Sequence, residues 1–151
     1  MISNTGLRVM NHCLNGIKEN FIKGLISRGV NILEAYRIGQ KVEVFNSPKI
    51  SYEDLWKRYG LAIRQGINPS SAATLAASGY DIEKLIENYN LAVKKGVDRE
   101  LADELICAGN GFIDRQKELE ELILHYHELI KAGKNKYTAA ETIRKRINRT
   151  L

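Results

Sequence analysis

The chain has 151 residues, 44% of them hydrophobic and 27% charged, with two prolines and a formal net charge of +5. That composition excludes a disordered tail and fits one globular domain long enough to bury a core. No uninterrupted apolar stretch approaches a membrane span, the opening MISNTGLRVMNHC has no basic region leading into an apolar run, and Cys13 and Cys107 are too few for a disulfide framework or a zinc knuckle, so a cytoplasmic protein with no membrane association and two core cysteines is expected.

From Leu7 to Arg28 the pattern is helical, with an interruption near Gly16, and it turns at Gly29. The next helix is expected from Asn31 to about Gly39. After it, Lys41-Val42-Glu43-Val44-Phe45 alternates polar and apolar residues, the period of a half-buried strand. Because no partner strand is evident, this segment is expected as an ordered linker closing at the breaker cluster Asn46-Ser47-Pro48, with a short strand as the alternative. Residues 41–50 are thus the one internal boundary in an otherwise single domain, 1–151.

Ser51 with Asp54 three residues on approximates a capping box and opens a helix carrying Leu55, Trp56, Tyr59, Ala62 and Ile63, which stops at Gly66. Asn68 followed by Pro69 is the clearest start signal, a cap residue and then proline at the first helical position. The helix it starts, SSAATLAASG, carries almost no charge. It is expected either sandwiched between neighbours or presenting a bare binding surface. Gly79, Tyr80 and Asp81 reset the chain for a helix from Ile82 to Lys95, with a partner from Asp98 to Ala108 and a corner at Gly109-Asn110-Gly111. A long helix follows from about Asp114 to Ala132. After Gly133 two start signals compete, Asn135 and a capping box of Thr138 with Glu141. The box satisfies two orphan donors rather than one, so Thr138 is the expected start.

Aligned on Gly29, Gly66, Gly96 and Gly133, the chain reads as four helical hairpins. Two places after each glycine stands a residue able to cap a helix, Asn31, Asn68, Asp98 or Asn135, and six places after it an alanine, Ala35, Ala72, Ala102 or Ala139. Before the glycine come the apolar pairs Leu25/Ile26, Ala62/Ile63, Ala92/Val93 and Leu129/Ile130. Further back come Ile22, Tyr59, Tyr89 and Tyr126, then Leu55, Leu85 and Leu122 in the last three units. Self-similarity of this kind marks stacked helical units, with the divergent first one as a terminal cap.

Signals for chemistry are weak. His125 and His127 lie about 200° apart on a helix and do not converge on one metal ion, and their expected places are one half-buried and one solvated. His12 beside Cys13 has no third ligand at usable spacing. Gly109-x-Gly111 lacks the rest of a dinucleotide fingerprint, and no P-loop, nucleophile elbow or HExxH is present. The expectation is a protein that is not an enzyme and has no catalytic, cofactor or metal residues. An enzyme of unrecognised chemistry ranks last among the alternatives.

The run Ala92, Gly96, Val97, Ala102, Leu105, repeated as Ala62, Gly66, Ile67, Ala72, Leu75, resembles the helix-turn-helix pattern of DNA-binding regulators. The resemblance implies that the helix after each glycine enters the major groove. The helices in that place, however, are SSAATLAASG with no basic residue and RELADELICAG with three acids against one arginine, compositions that suit a phosphate backbone poorly. Basic character is concentrated elsewhere. Residues 131–151 hold seven lysines and arginines against Glu141 alone, a net +6 that leaves −1 for the remainder.

The sequence therefore predicts an all-α protein of seven to nine helices, arranged as about four stacked antiparallel hairpins in a short solenoid-like array or a compact bundle. In architecture such hairpins resemble tetratricopeptide and ankyrin-type scaffolds, a likeness that implies protein recognition. The expected function is non-enzymatic binding of a protein partner with acidic character through a helical-repeat surface and the basic last helix, at Lys136, Arg144, Lys145, Arg146 and Arg149. The alternative is a small nucleic-acid-binding regulator.

Overall fold

The computed structural model describes the backbone of residues 4–47 and 50–150 and the side chains of residues 16–47 and 50–149. The placements expected for His12, Cys13 and Pro48 lie outside these residues. Among the described residues the chain is all-α, with eight α-helices and one turn of 3₁₀ helix over Asn110–Phe112. The Cα framework divides into two compact units, Met1–Gly79 and Tyr80–Leu151.

The first unit holds α1 (Asn4–Ser27), α2 (Ile32–Phe45), α3 (Tyr52–Arg64) and α4 (Pro69–Ser78), and the second holds α5 (Ile82–Lys94), α6 (Arg99–Ala108), α7 (Gln116–Lys131) and α8 (Lys136–Thr150). In the first, α1 packs on α2 and α3, and α4 packs on α2 and α3. In the second, α5 packs on α6 and α7, and α8 packs on α6 and α7. The two units share one topology. Gly29 to Gly96 and Gly66 to Gly133 are both steps of 67 residues, so the four hairpins are two copies of a two-hairpin unit.

Each corner is closed by the same local chemistry. Gly29, Gly66, Gly96 and Gly133 have φ between 87° and 99°, the left-handed region that a side chain disfavours. The glycine N–H donates to the carbonyl three residues back, and the following N–H reaches the one five residues behind it. The latter bonds run from Val30 to Leu25, Ile67 to Ala62, Val97 to Ala92 and Lys134 to Leu129, at 3.0–3.1 Å. The chain then exits onto the cap residue. Side-chain oxygens of Asn31, Asn68, Asp98 and Asn135 accept from Leu33, Ser71, Glu100 and Thr138 N–H, respectively. The alanine six places on is fully buried in all four hairpins. Of the apolar pair before the glycine, the first member is buried in three hairpins, whereas Ile26, Ile63 and Ile130 are partly exposed.

Three expectations are corrected. The α1 backbone runs through Gly16 without a break. Lys41–Phe45 is neither linker nor strand but the last turn of α2, because Ala35, Ile38, Gly39 and Val42 line one buried helical face. Val42 and Val44, which a strand would place together, are buried and exposed, respectively. The last helix is capped by Asn135, not Thr138: Asn135 Oδ1 accepts from Thr138 N–H at 2.8 Å, and the Glu141 carboxylate pairs with Arg144 instead of completing a box.

Helix α4 is the sandwiched one. Ser71 through Ala77 are all buried, so this stretch offers no bare surface. Its C-terminal carbonyls are met by Arg58 of α3, which donates from Nε to Ala76 O at 2.7 Å and from Nη2 to Leu75 O at 3.2 Å, and by Ser47 N–H on Ala77 O.

The units differ most after their second helix. Where α2 continues to Phe45, α6 stops at Ala108, and Asn110, Phe112 and Asp114 take positive φ around Gly111. Such backbone persists only where its surroundings fix it. Asn88, buried on α5, donates to Gly111 O at 2.7 Å and Phe112 O at 3.2 Å, and Tyr80 donates to Asn110 Oδ1 at 2.7 Å. This corner is therefore pinned to α5.

Candidate partner-binding site

Helix α8 presents its core face through Ala139, Ala140, Ile143 and Ile147, the spacing of one helical stripe. The five basic residues expected to bind a partner are distributed around the rest of it, and they are not equivalent. At about 100° per residue, Arg144 and Arg146 fall on opposite flanks of the buried stripe, while Lys145 and Arg149 lie one turn apart on the side away from it.

Lys136 is a structural residue. Its ammonium donates to Asp98 Oδ2 at 3.0 Å, tying the start of α8 to the cap of α6. The Lys136 hydrogen bond, helped by the Glu100 N–H, holds the Asp98 carboxyl below its ordinary pKa, and the same bond raises that of Lys136. A carboxylate whose folded pKa is depressed contributes stability above its unfolded value and loses it as pH falls through the folded one. The denaturation midpoint is accordingly expected to drop as pH falls below about 4, with a shallower drop in Asp98→Asn. Equal acid slopes in the two proteins would show that the pair is not what couples α6 to α8.

Arg144 pairs with Glu141 on the flank facing α6, beside a shallow groove of about 190 Å³ whose wall includes Leu101, Glu104 and Tyr137. Arg146 lies on the other flank and donates to His125 Nδ1 at 3.0 Å across the hairpin from α7. This bond requires an unprotonated Nδ1. His127 packs against the Gly96 corner and bonds to the Lys95 carbonyl. Both histidines are half-buried, so the solvated one of the expected pair is not seen. Cys107 is likewise half-buried rather than a core residue. Lys145 and Arg149 are exposed and form no ion pair among the described residues.

A feature the sequence reading missed is a polar cleft of about 450 Å³ in the second unit, lined by Lys84, Glu87, Asn88, Asp114, Gln116 and Lys117. Its legible signal was the polar stripe Lys84, Glu87, Asn88 on α5, at helical spacing. Most of its polar groups satisfy one another: Lys84 pairs with Asp114 at 3.2 Å, and Gln116 donates to Glu87 at 2.9 Å and to Asn88 at 3.2 Å. The cleft thereby reads as the latch of the pinned corner. Among the described residues no three His, Cys, Asp or Glu side chains gather as metal ligands would, and no helix is long and apolar enough to cross a membrane.

Compared with protein-family models, with curated proteins and with solved structures, the chain matches none.

Proposed function

We propose that the protein is a non-catalytic binding module that holds an acidic surface of another protein through the outer face of α8. The observation carrying this reading is the position of Lys145 and Arg149. They are exposed, one turn apart and turned away from the core stripe, within a segment of net charge +6. Arg146 borders them. Lys136 and Arg144 stand outside the contact, because their charges are engaged with Asp98 and Glu141.

A protein suits this surface better than nucleic acid does. Glu121 and Glu128 stand one turn on either side of His125, the residue that accepts from Arg146, so carboxylates run alongside the basic strip. A phosphate backbone following α8 would meet them, whereas a protein can place its acids opposite Lys145 and Arg149 and its own cations opposite α7. The helix-turn-helix alternative also loses one of its two reading helices, since α4 is buried along its length.

The test is capture from the native cell extract with the wild-type chain and with the double variant Lys145→Glu/Arg149→Glu as baits. A partner held by the wild type, released by moderate salt and lost by the variant is the expected result. Retention by the variant at the wild-type level removes α8 as the site. Loss of capture after nuclease treatment of the extract would transfer the reading to nucleic acid, with the salt dependence that counterion release imposes.

A further inference from the structure

The internal repeat separates what the fold demands of a position from what it does not. Residues 67 apart occupy the same place in the two units, and the corner glycines, caps, buried alanines and the tyrosines Tyr59 and Tyr126 agree between them. On the outer face of the second helix they disagree. In α2 that face carries Ile32, Leu33, Tyr36 and Val44, exposed by 58%, 79%, 54% and 73%, respectively. At the places of Ile32 and Leu33 the second unit has Arg99 and Glu100, both exposed, whereas Asp103 and Gly111, the residues aligned with Tyr36 and Val44, are buried, Gly111 beyond the end of α6. The fold tolerates charge at the start of this helix, so Ile32 and Leu33 left in water there answer to something other than folding, and Tyr36 and Val44 extend the same exposed apolar face of α2.

We infer that this face of α2 is an interface between two copies of the chain. Leu33, Tyr36, Gln40 and Val44 follow one another at intervals of three and four residues, a stripe on which a second helix of the same kind can pack its own ridges. Charge gives a foreign partner no handle. The ionic groups flanking the stripe are engaged within the chain, Arg37 with Glu34 at 3.7 Å, Glu43 with Lys18 of α1 at 2.5 Å and Lys41 over the Phe45 ring at 5.9 Å, leaving a largely apolar surface of the type that homodimers bury. Two such faces brought together cover an area on the order of 1,000 Å², where specific interfaces begin. The dimer is isologous, with α2 against α2.

The test is the mass of the purified chain by sedimentation equilibrium from micromolar to near-millimolar concentration. Wild type is expected to pass from monomer to dimer over that range. Ile32→Arg/Leu33→Glu, which installs the residues of the second unit at positions where that unit folds with them, is expected to stay monomeric with its helical circular dichroism unchanged. Val44→Arg, at the far end of the stripe, provides an independent variant with the same expected loss. A wild type that remains monomeric throughout overturns the inference. Dimerisation of both variants with the wild-type constant also overturns it, because the contact would then lie elsewhere.

Discussion

Phe21→Ala is expected to cost the first unit about 3 to 5 kcal/mol, the largest single effect anticipated in this chain. Phe21 is fully buried on α1. Its ring stacks on Trp56 of α3 with centroids 4.5 Å apart and meets the edge of Tyr59 at 5.0 Å. Removing it takes away the transfer energy of an aromatic ring, the ring-ring contacts and part of the support of Trp56, which also meets the edges of Tyr59 at 5.6 Å and Tyr52 at 6.2 Å and the Arg28 guanidinium at 4.0 Å. The indole also lies close against the Gly24 backbone, where a side chain would run into it. The measurement is the denaturation midpoint followed by circular dichroism, with Phe21→Leu as a milder comparison. A midpoint within error of wild type for Phe21→Ala would contradict the packing of α1 on α3.

Ala72→Leu should destabilise by about 1 to 3 kcal/mol through overpacking, and by more than the same change at Ala102. Both alanines occupy the same corner position and both are fully buried. The difference lies in their helices. Around Ala72 every residue from Ser71 to Ala77 is buried, so three added carbons have no direction in which to relax, whereas α6 carries exposed or half-exposed residues such as Arg99, Glu100 and Leu101. Equal midpoints for wild type and Ala72→Leu would mean that the corner does not need a small residue and that the repeat register is misassigned. A larger effect at Ala102 than at Ala72 would leave the register intact and reverse the ranking of the two helices.

The same structural position is used in two ways by the two units. Phe21 and Asn88 are 67 residues apart and both buried, one filling an aromatic cluster and the other donating to Gly111 and Phe112 carbonyls. An aromatic ring at position 21 goes with a second helix that runs on to Phe45. The asparagine goes with a helix that ends at Ala108 and a corner held in positive φ. The polar cleft beside that corner follows from this exchange.

The part of the fold legible from the residues alone is written in short-range chemistry. Each corner is decided within about ten residues: a glycine for the left-handed turn, an asparagine or aspartate to accept from the next helix, and an alanine where helices approach. Those columns were legible for all four hairpins, as was the all-α class. Local signals failed where two of them competed, at Asn135 against Thr138, because the bond from Lys134 N–H to Leu129 O that delivers the chain to Asn135 belongs to the preceding helix. Tertiary structure alone decided the rest. Alternation in Lys41–Phe45 became the end of a helix because α1 and α4 offer α2 a face that buries Val42 and not Val44. The uncharged helix α4 became buried rather than bare, and the basic residues of α8 separated into two already engaged in ion pairs, one bridging to α7 and two turned outward. Burial, the Lys136 pair with Asp98 and the Arg146 bond to His125 depend on residues some twenty to forty positions away in the chain, which no window of local periodicity contains, whereas the Arg144 pair with Glu141 spans three positions.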